Sequence, residues 1–168
     1  MIMLITGGVK SGKSRRALDV AGKEWRFPVS FIATAEVLDE EMRLRIARHR
    51  EERAGLGGAG GFITIEEPLE LAGAIRNAGP YAVVDCIPIW INNLMYYQRE
   101  ADFPYMLDAF IRGMNNCIVV SNETGLGTIP FDETIRRYNL LLAEANRRIA
   151  EAADRVEFMI SGIPLKVK

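Results

Sequence analysis

The sequence holds only two cysteines, Cys86 and Cys117, and a single histidine, His49. It has no CxxC pair, no HExxH helix and no EF-hand loop, so a protein-held transition metal is not expected. Each cysteine borders an apolar strand-like run, where a thiol packs as a small hydrophobe, and no disulfide is expected either. An excess of either charge is also missing: 21 lysines and arginines stand against 22 aspartates and glutamates, a formal net charge of -1. That balance removes any general pull toward nucleic acid or an anionic membrane surface, so an anion site has to be local. Long hydrophobic runs are lacking too. No segment is long and apolar enough to cross a bilayer, and the opening run 1–6 is too short for a signal-peptide core. A cytoplasmic chain without membrane insertion is expected.

What is present fits one globular domain over residues 1–168. Apolar residues make up 49% and charged residues 26%, the balance of a globular protein rather than of a disordered or membrane-spanning one. Short β-rich runs recur at 2–6, 29–33, 62–65, 81–85, 117–121 and 156–160, most of them almost wholly apolar, as strands covered on both faces are. Helical patterns lie between them, clearest over 131–153, where Ile135, Tyr138, Leu142, Ala145, Ile149 and Ala152 recur at helical spacing. Alternating strands and helices predict a mostly parallel sheet between helical layers. Segment 54–61, rich in glycine, and segment 98–104, polar and ending in Pro104, read as connections.

The chemistry starts directly after the first strand. Gly7, Gly8, Val9, Lys10, Ser11, Gly12, Lys13 and Ser14 complete the pattern GxxxxGK[ST] between an apolar strand and a helical pattern, which is the context a phosphate-binding loop requires. Its glycines let backbone N–H groups converge on phosphate oxygens, and the following helix start adds positive potential. Lys13 supplies a point charge, and the Ser14 hydroxyl is a ligand for magnesium (Mg2+). The plainer alternative is a tight strand-to-helix turn with a solvated Lys13. Together with the alternating elements, the loop predicts an α/β P-loop NTPase of the RecA-like, three-layer kind. A magnesium site also needs a carboxylate at the end of another strand, and Asp85 closes the run at 81–85. Ser121, Asn122 and Glu123 end a further strand, where ligands of parallel sheets gather, although an ordinary turn capped by Asp132 accounts for them equally well.

His49 lies in a charged segment, 39–53, with Met42 and Ile46 on the same helical face and Arg43, Arg45, Arg48, Arg50 and Arg53 around it. Such arginines hold phosphate oxygens near a nucleophilic ring nitrogen. On spacing alone, a solvated surface histidine remains the competing explanation.

With these residues in view, the whole chain resembles the bifunctional adenosylcobinamide kinase/adenosylcobinamide-phosphate guanylyltransferase family of cobalamin biosynthesis. The markers stand in order: the loop from Thr6 to Ser14, Ile32-Ala-Thr-Ala35, Asp39-Glu-Glu-Met42, Arg45-Ile-Ala-Arg-His49-Arg50, Glu66-Glu-Pro68, Val84-Asp-Cys86, Asn92-Asn-Leu94, Asn122-Glu-Thr-Gly-Leu-Gly127 and Ser161-Gly162. The resemblance implies phosphorylation of adenosylcobinamide, a corrinoid, followed by GMP transfer from GTP through a guanylylated His49. It implies GTP, ATP and magnesium as ligands, with Lys13 and Ser14 on the phosphates and Asp85 on the metal. Thr34, Ala35, Glu36, Arg50, Arg53 and Glu66 match positions around the guanine nucleotide, and a homo-oligomer, a trimer, is the family's habit. The chain departs from the family pattern at Pro88, where a threonine is usual, at Thr124, where a valine is usual, and over 138–147, where FRDxxGxxNQ is usual. Two other readings stay open: a P-loop kinase of a different small molecule in which His49 takes no part, and a nucleotide-binding module with little turnover.

Overall fold

Six of the apolar runs become the parallel strands of one sheet in the computed structural model, which describes residues 1–36, 40, 43, 44, 46, 47, 50, 51, 61–127 and 129–168. These are β1 (Ile2–Gly7), β2 (Val29–Ala33), β3 (Phe62–Glu66), β4 (Ala82–Asp85), β5 (Cys117–Val120) and β6 (Arg155–Ile160). A short strand, β7 (Ile163–Lys166), turns back antiparallel on β6, and the order across the sheet is β3-β2-β4-β5-β1-β6-β7. Parallel pairings need crossovers; among the described residues the helices between strands are α1 (Lys13–Glu24), α2 (Leu71–Asn77), α3 (Ile87–Tyr96), α4 (Phe103–Gly113) and α5 (Glu133–Ala152), with the β2–β3 connection lying mostly outside them.

Side chains alternate between the faces of each strand, so the core divides in two. Met3, Ile5, Val83, Ile118 and Val120 point to the face covered by α1, where they meet Ala17, Val20 and Ala21. Leu4, Val84 and Val119 point to the other face, under Trp90, Leu94, Leu107, Phe110, Leu142 and Ile149 from α3, α4 and α5. This is the RecA-like three-layer plan, with β5 between the strand that carries the phosphate loop and the strand that ends in Asp85.

Two expectations change. Strand β3 is an edge strand with three of its five residues exposed, Ile63 among them, rather than covered on both faces. Pro104 does not end a connection but sits in the first turn of α4, where its missing N–H costs no intrahelical bond; only the three-residue 3-10 turn Glu100–Asp102 precedes it. Asp132 does cap α5, its Oδ1 accepting from the Ile135 N–H at 3.0 Å.

A buried ion pair ties the loop-bearing helix to the sheet. Glu157 on β6, 3% exposed, accepts two hydrogen bonds from Arg16 on α1 at 2.8 and 2.9 Å, and a third from Arg155 at 2.5 Å. The Arg16 hydrogen bond, aided by Arg155, holds the Glu157 carboxyl below its ordinary pKa against the opposing effect of burial. A carboxyl whose folded pKa is depressed stabilises the fold above its unfolded value, about 4.3, and that stabilisation disappears as pH falls through the folded value. Glu157→Gln is therefore expected to lower the unfolding free energy at pH 7 by about 3 kcal/mol, the low end for breaking a buried pair because both arginines remain partly solvated. Urea unfolding at pH 7 and pH 3 checks this: the gap between wild type and variant should shrink at the lower pH.

Candidate active site

The loop after β1 is shaped by backbone that only small residues permit. Gly7 has φ 148°, and a Cβ there would come within 2.5 Å of the Met159 carbonyl oxygen on β6. Gly12 takes φ 91° immediately before α1, so the first-turn N–H groups open toward the loop. The Ser11 N–H turns back onto Gly8 O at 3.3 Å, and Gly162, in the β6–β7 turn, donates its N–H to Ser11 O at 3.1 Å. The loop is thus backed by sheet on one side, while Gly8, Val9 and Lys10 are exposed on the other.

Lys13 is folded inward, 7% exposed, its Nζ donating to Gly8 O at 2.5 Å and Ser11 Oγ at 3.5 Å. Burial pushes the pKa of its ammonium down, and electrostatic interactions with nearby Cys86 and Asp85 push it back up. A buried cation curled over its own loop, with a carboxylate opposite, suits an incoming polyanion that adds hydrogen-bond acceptors and opposing charge.

Asp85 ends β4 in register with Ala33 of β2 and Val120 of β5. Beyond β2, the buried Thr34 donates its hydroxyl to Cys86 O and accepts from the Cys86 N–H, both at 2.9 Å. Asn93, buried on α3, donates to Thr34 O at 2.8 Å and Pro68 O at 3.0 Å, fastening the exits of β2 and β3 to that helix. Trp90 Nε1 adds a bond to Leu69 O at 2.8 Å.

A pocket opens at this edge, lined by Phe31, Ala33, Ala35, Ile46, Arg50, Glu66 and Asp85. Arg50, which is helical, forms an ion pair with Glu66 across its mouth. Glu36 stands beside it, one oxygen accepting from the Tyr97 hydroxyl at 3.2 Å and the other, Oε2, buried without a hydrogen-bond partner. On the far side of the site, Tyr138 of α5 is half-buried, and burial together with Cys86 pushes its phenol up to about 12.

The structure therefore brings Ala35, Arg50, Glu66 and Asp85 to one pocket, sets Thr34 and Glu36 beside it and keeps Lys13 within electrostatic reach of Asp85. His49 and Arg53 lie outside the described residues, as do Met42, Arg45 and Arg48. Among the described residues no three histidines, cysteines or acids cluster as a metal cage; Ser14, at the start of α1, and Asp85, at the end of β4, are the donors a magnesium bound with phosphates would use. Sequence reasoning gave no role to Asn93, Tyr97 or Asn146. Two asparagines, Asn92 and Asn93, interrupt the apolar run Ile87–Tyr96, and the second lies on the buried face, which was the available signal for Asn93.

The sequence profile of the family described as cobinamide kinase / cobinamide phosphate guanyltransferase matches residues 3–167. The chain belongs to that family. Members similar to it include the bifunctional adenosylcobalamin biosynthesis protein CobP of Pseudomonas aeruginosa, 40% identical over 176 residues that cover 98% of this chain and 96% of the relative. The bifunctional adenosylcobalamin biosynthesis protein CobU of Escherichia coli is 30% identical over 188 residues, covering both chains fully. Among solved structures, the flagellar accessory protein FlaH of Methanocaldococcus jannaschii superposes with a TM-score of 0.54 at 13% identity, over 99% of this chain and 77% of that one; the likeness concerns the fold alone. As a member of the cobinamide kinase/guanyltransferase family, the chain is a transferase that uses nucleotide and cobinamide in cobalamin biosynthesis.

Proposed function

We propose that this chain, acting as a single domain over residues 1–168, phosphorylates the aminopropanol hydroxyl of adenosylcobinamide and then transfers GMP from GTP to that phosphate through a guanylylated His49. The observation that carries this is the buried Lys13 folded against its glycine loop opposite Asp85, with the Arg50–Glu66 pocket at the same edge of the sheet. Residues Gly7 to Ser14 hold the triphosphate, Lys13 moving from Gly8 O to the phosphates. Thr34, Ala35, Glu36, Arg50, Arg53 and Glu66 surround the guanosine. Ser14 and Asp85 hold magnesium, which when bound neutralises phosphate charge.

In the nucleotidyl half, a neutral His49 ring nitrogen attacks the α-phosphorus of GTP and pyrophosphate leaves with the electron pair of the broken P–O bond. An oxygen of adenosylcobinamide phosphate then attacks the same phosphorus, the P–N bond breaks, and the ring is regenerated. Two easier displacements replace one hard one. ATP or GTP serves the kinase half. Leu126, Ile129 and Phe131, exposed on the stretch between β5 and α5, support self-association into a homo-oligomer, a trimer on the family resemblance. A near-zero net charge argues against a nucleic-acid partner. No helix among the described residues is long and apolar enough to span a membrane, which supports the cytoplasmic assignment.

Product analysis with adenosylcobinamide and each triphosphate tests the proposal. Phosphorylated product should form with ATP or GTP, and GDP-linked product only with GTP. Phosphorylation without any guanylylation would contradict the histidine relay and favour a plain kinase; nucleotide binding without any product would favour a binding module.

A further inference from the structure

Phosphoryl transfer to a hydroxyl leaves a proton that the nucleotide site, as described so far, does not accept. Two of the acids at this end of the sheet are already engaged: Glu66 is paired with Arg50, and Asp85 interacts electrostatically with Lys13. Glu36 and Glu123 each spend one oxygen on a single hydrogen bond, from the Tyr97 hydroxyl and from the Gly125 N–H at 2.9 Å, and neither has an arginine or lysine partner among the described residues. They differ in place: Glu36 follows β2, beyond β4 from the phosphate loop, whereas Glu123 follows β5, next to the loop strand.

Its place in the sheet is specific. Strand β5 lies between β1 and β4, and Val120 is in register with Ile5 on one side and Asp85 on the other. Neighbouring strands are about 4.8 Å apart, so the loop strand and the Asp85 strand are about 10 Å apart with β5 in the middle. Phosphates spanning Lys13 and Asp85 must cross the end of β5. Glu123 leaves that end and is fixed to the loop itself, its N–H donating to Gly7 O at 3.1 Å.

The turn is held rather than loose. Asn146 on α5, almost fully buried, accepts from the Ser121 hydroxyl at 2.6 Å and donates to Asn122 O at 2.8 Å. The Thr124 hydroxyl then donates to Asn139 Oδ1 at 2.9 Å, one to two turns earlier on α5. Glu123 is therefore gripped on both sides along the chain and by its own N–H, with its side chain half-buried at the loop.

We propose that Glu123 is the catalytic residue that accepts the substrate hydroxyl proton in the kinase step, with Asn146 as the positioning residue that fixes its turn. The substrate O–H bond breaks as its oxygen bonds to the γ-phosphorus. The proton passes to the Glu123 carboxylate, and the bond from the γ-phosphorus to the bridging oxygen breaks with its electron pair leaving on the nucleoside diphosphate. This rests on the kinase half of the proposed function.

The full chain is assayed for phosphorylation of adenosylcobinamide and, separately, for labelling of the protein by GTP carrying an α-phosphate label. Glu123→Gln keeps an oxygen for the Gly125 N–H but loses the basic site, so phosphorylation should fall about 100-fold, while labelling changes far less. Glu123→Ala should regain at least a tenth of the lost rate with added formate, which a merely structural role would not allow. For Asn146→Leu, kcat for phosphorylation should drop with little change in KM for the triphosphate. Phosphorylation by Glu123→Gln within about threefold of wild type, or equal losses in both assays, overturns the assignment. A wild-type chain that phosphorylates no adenosylcobinamide overturns the proposed kinase function and this assignment with it; normal wild-type turnover with an unaffected variant overturns this assignment alone.

Discussion

Replacing His49 by alanine should abolish guanylylation of the protein and formation of the GDP-linked product, by at least about a thousandfold, while phosphorylation of adenosylcobinamide persists. The asymmetry is the informative part. A nucleophile that forms a covalent intermediate has no substitute on the same path, whereas the kinase step as proposed draws on the glycine loop and the carboxylates at the ends of β4 and β5. The label on the wild-type protein should be acid-labile and alkali-stable, as a phosphorus–nitrogen bond is. Loss of both activities together would mean that His49 acts through binding, and retention of labelling in His49→Ala would place the nucleophile elsewhere.

Lys13→Met should reduce both transfers by about 100-fold or more, because an ammonium aimed at developing phosphate charge is lost in a site where charge is poorly screened. Its effect on stability should run the other way. Among the described residues, the buried Lys13 has a backbone carbonyl and a serine hydroxyl as its hydrogen-bond partners, and burial already pushes its pKa down. A methionine fills similar volume without charge, so the melting temperature should not fall. Steady-state rates and thermal melts on the same preparation check both halves. A variant that melts lower and keeps its activity would show that the lysine is structural.

What the sequence made legible was what depends on neighbouring residues. Apolar runs marked β1 to β6 to within about two residues, and for β1, β2, β4 and β5 the reason is that covered parallel strands have no need of polar alternation, which does not hold for the edge strand β3. The glycine loop was legible because its pattern is contiguous and Gly7 and Gly12 answer local backbone requirements, as the φ of 91° at Gly12 shows. Strand β7 was missed: Ile163, Pro164, Leu165 and Lys166 are all exposed, and a proline in so short a run argues against a strand. The hairpin signal was instead in Ser161 and Gly162, both with positive φ, the pair a two-residue turn favours.

Contacts distant along the chain were not legible in the same way. Asp85 could be proposed as a strand-end acid, but its position opposite Lys13 depends on β5 being inserted between β4 and β1. Asn93 reaches Thr34 across 59 residues and Asn146 reaches Ser121 across 25, and neither partner is fixed by spacing. Arg16 likewise reads as one more charge on an amphipathic helix until Glu157 arrives from the other end of the chain. His49 became a candidate through the family pattern, since its periodicity fits a solvated histidine equally well.

Whether the loop from Gly7 to Ser14 holds the triphosphate is decided by the structure of the protein with magnesium and a non-hydrolysable GTP analogue. Phosphate oxygens are expected on the backbone N–H groups of the loop, with the Lys13 ammonium swung from Gly8 O onto them and Asp85 facing the metal. Phosphates bound elsewhere, with Lys13 still on Gly8 O, would rule out the loop as the phosphate site.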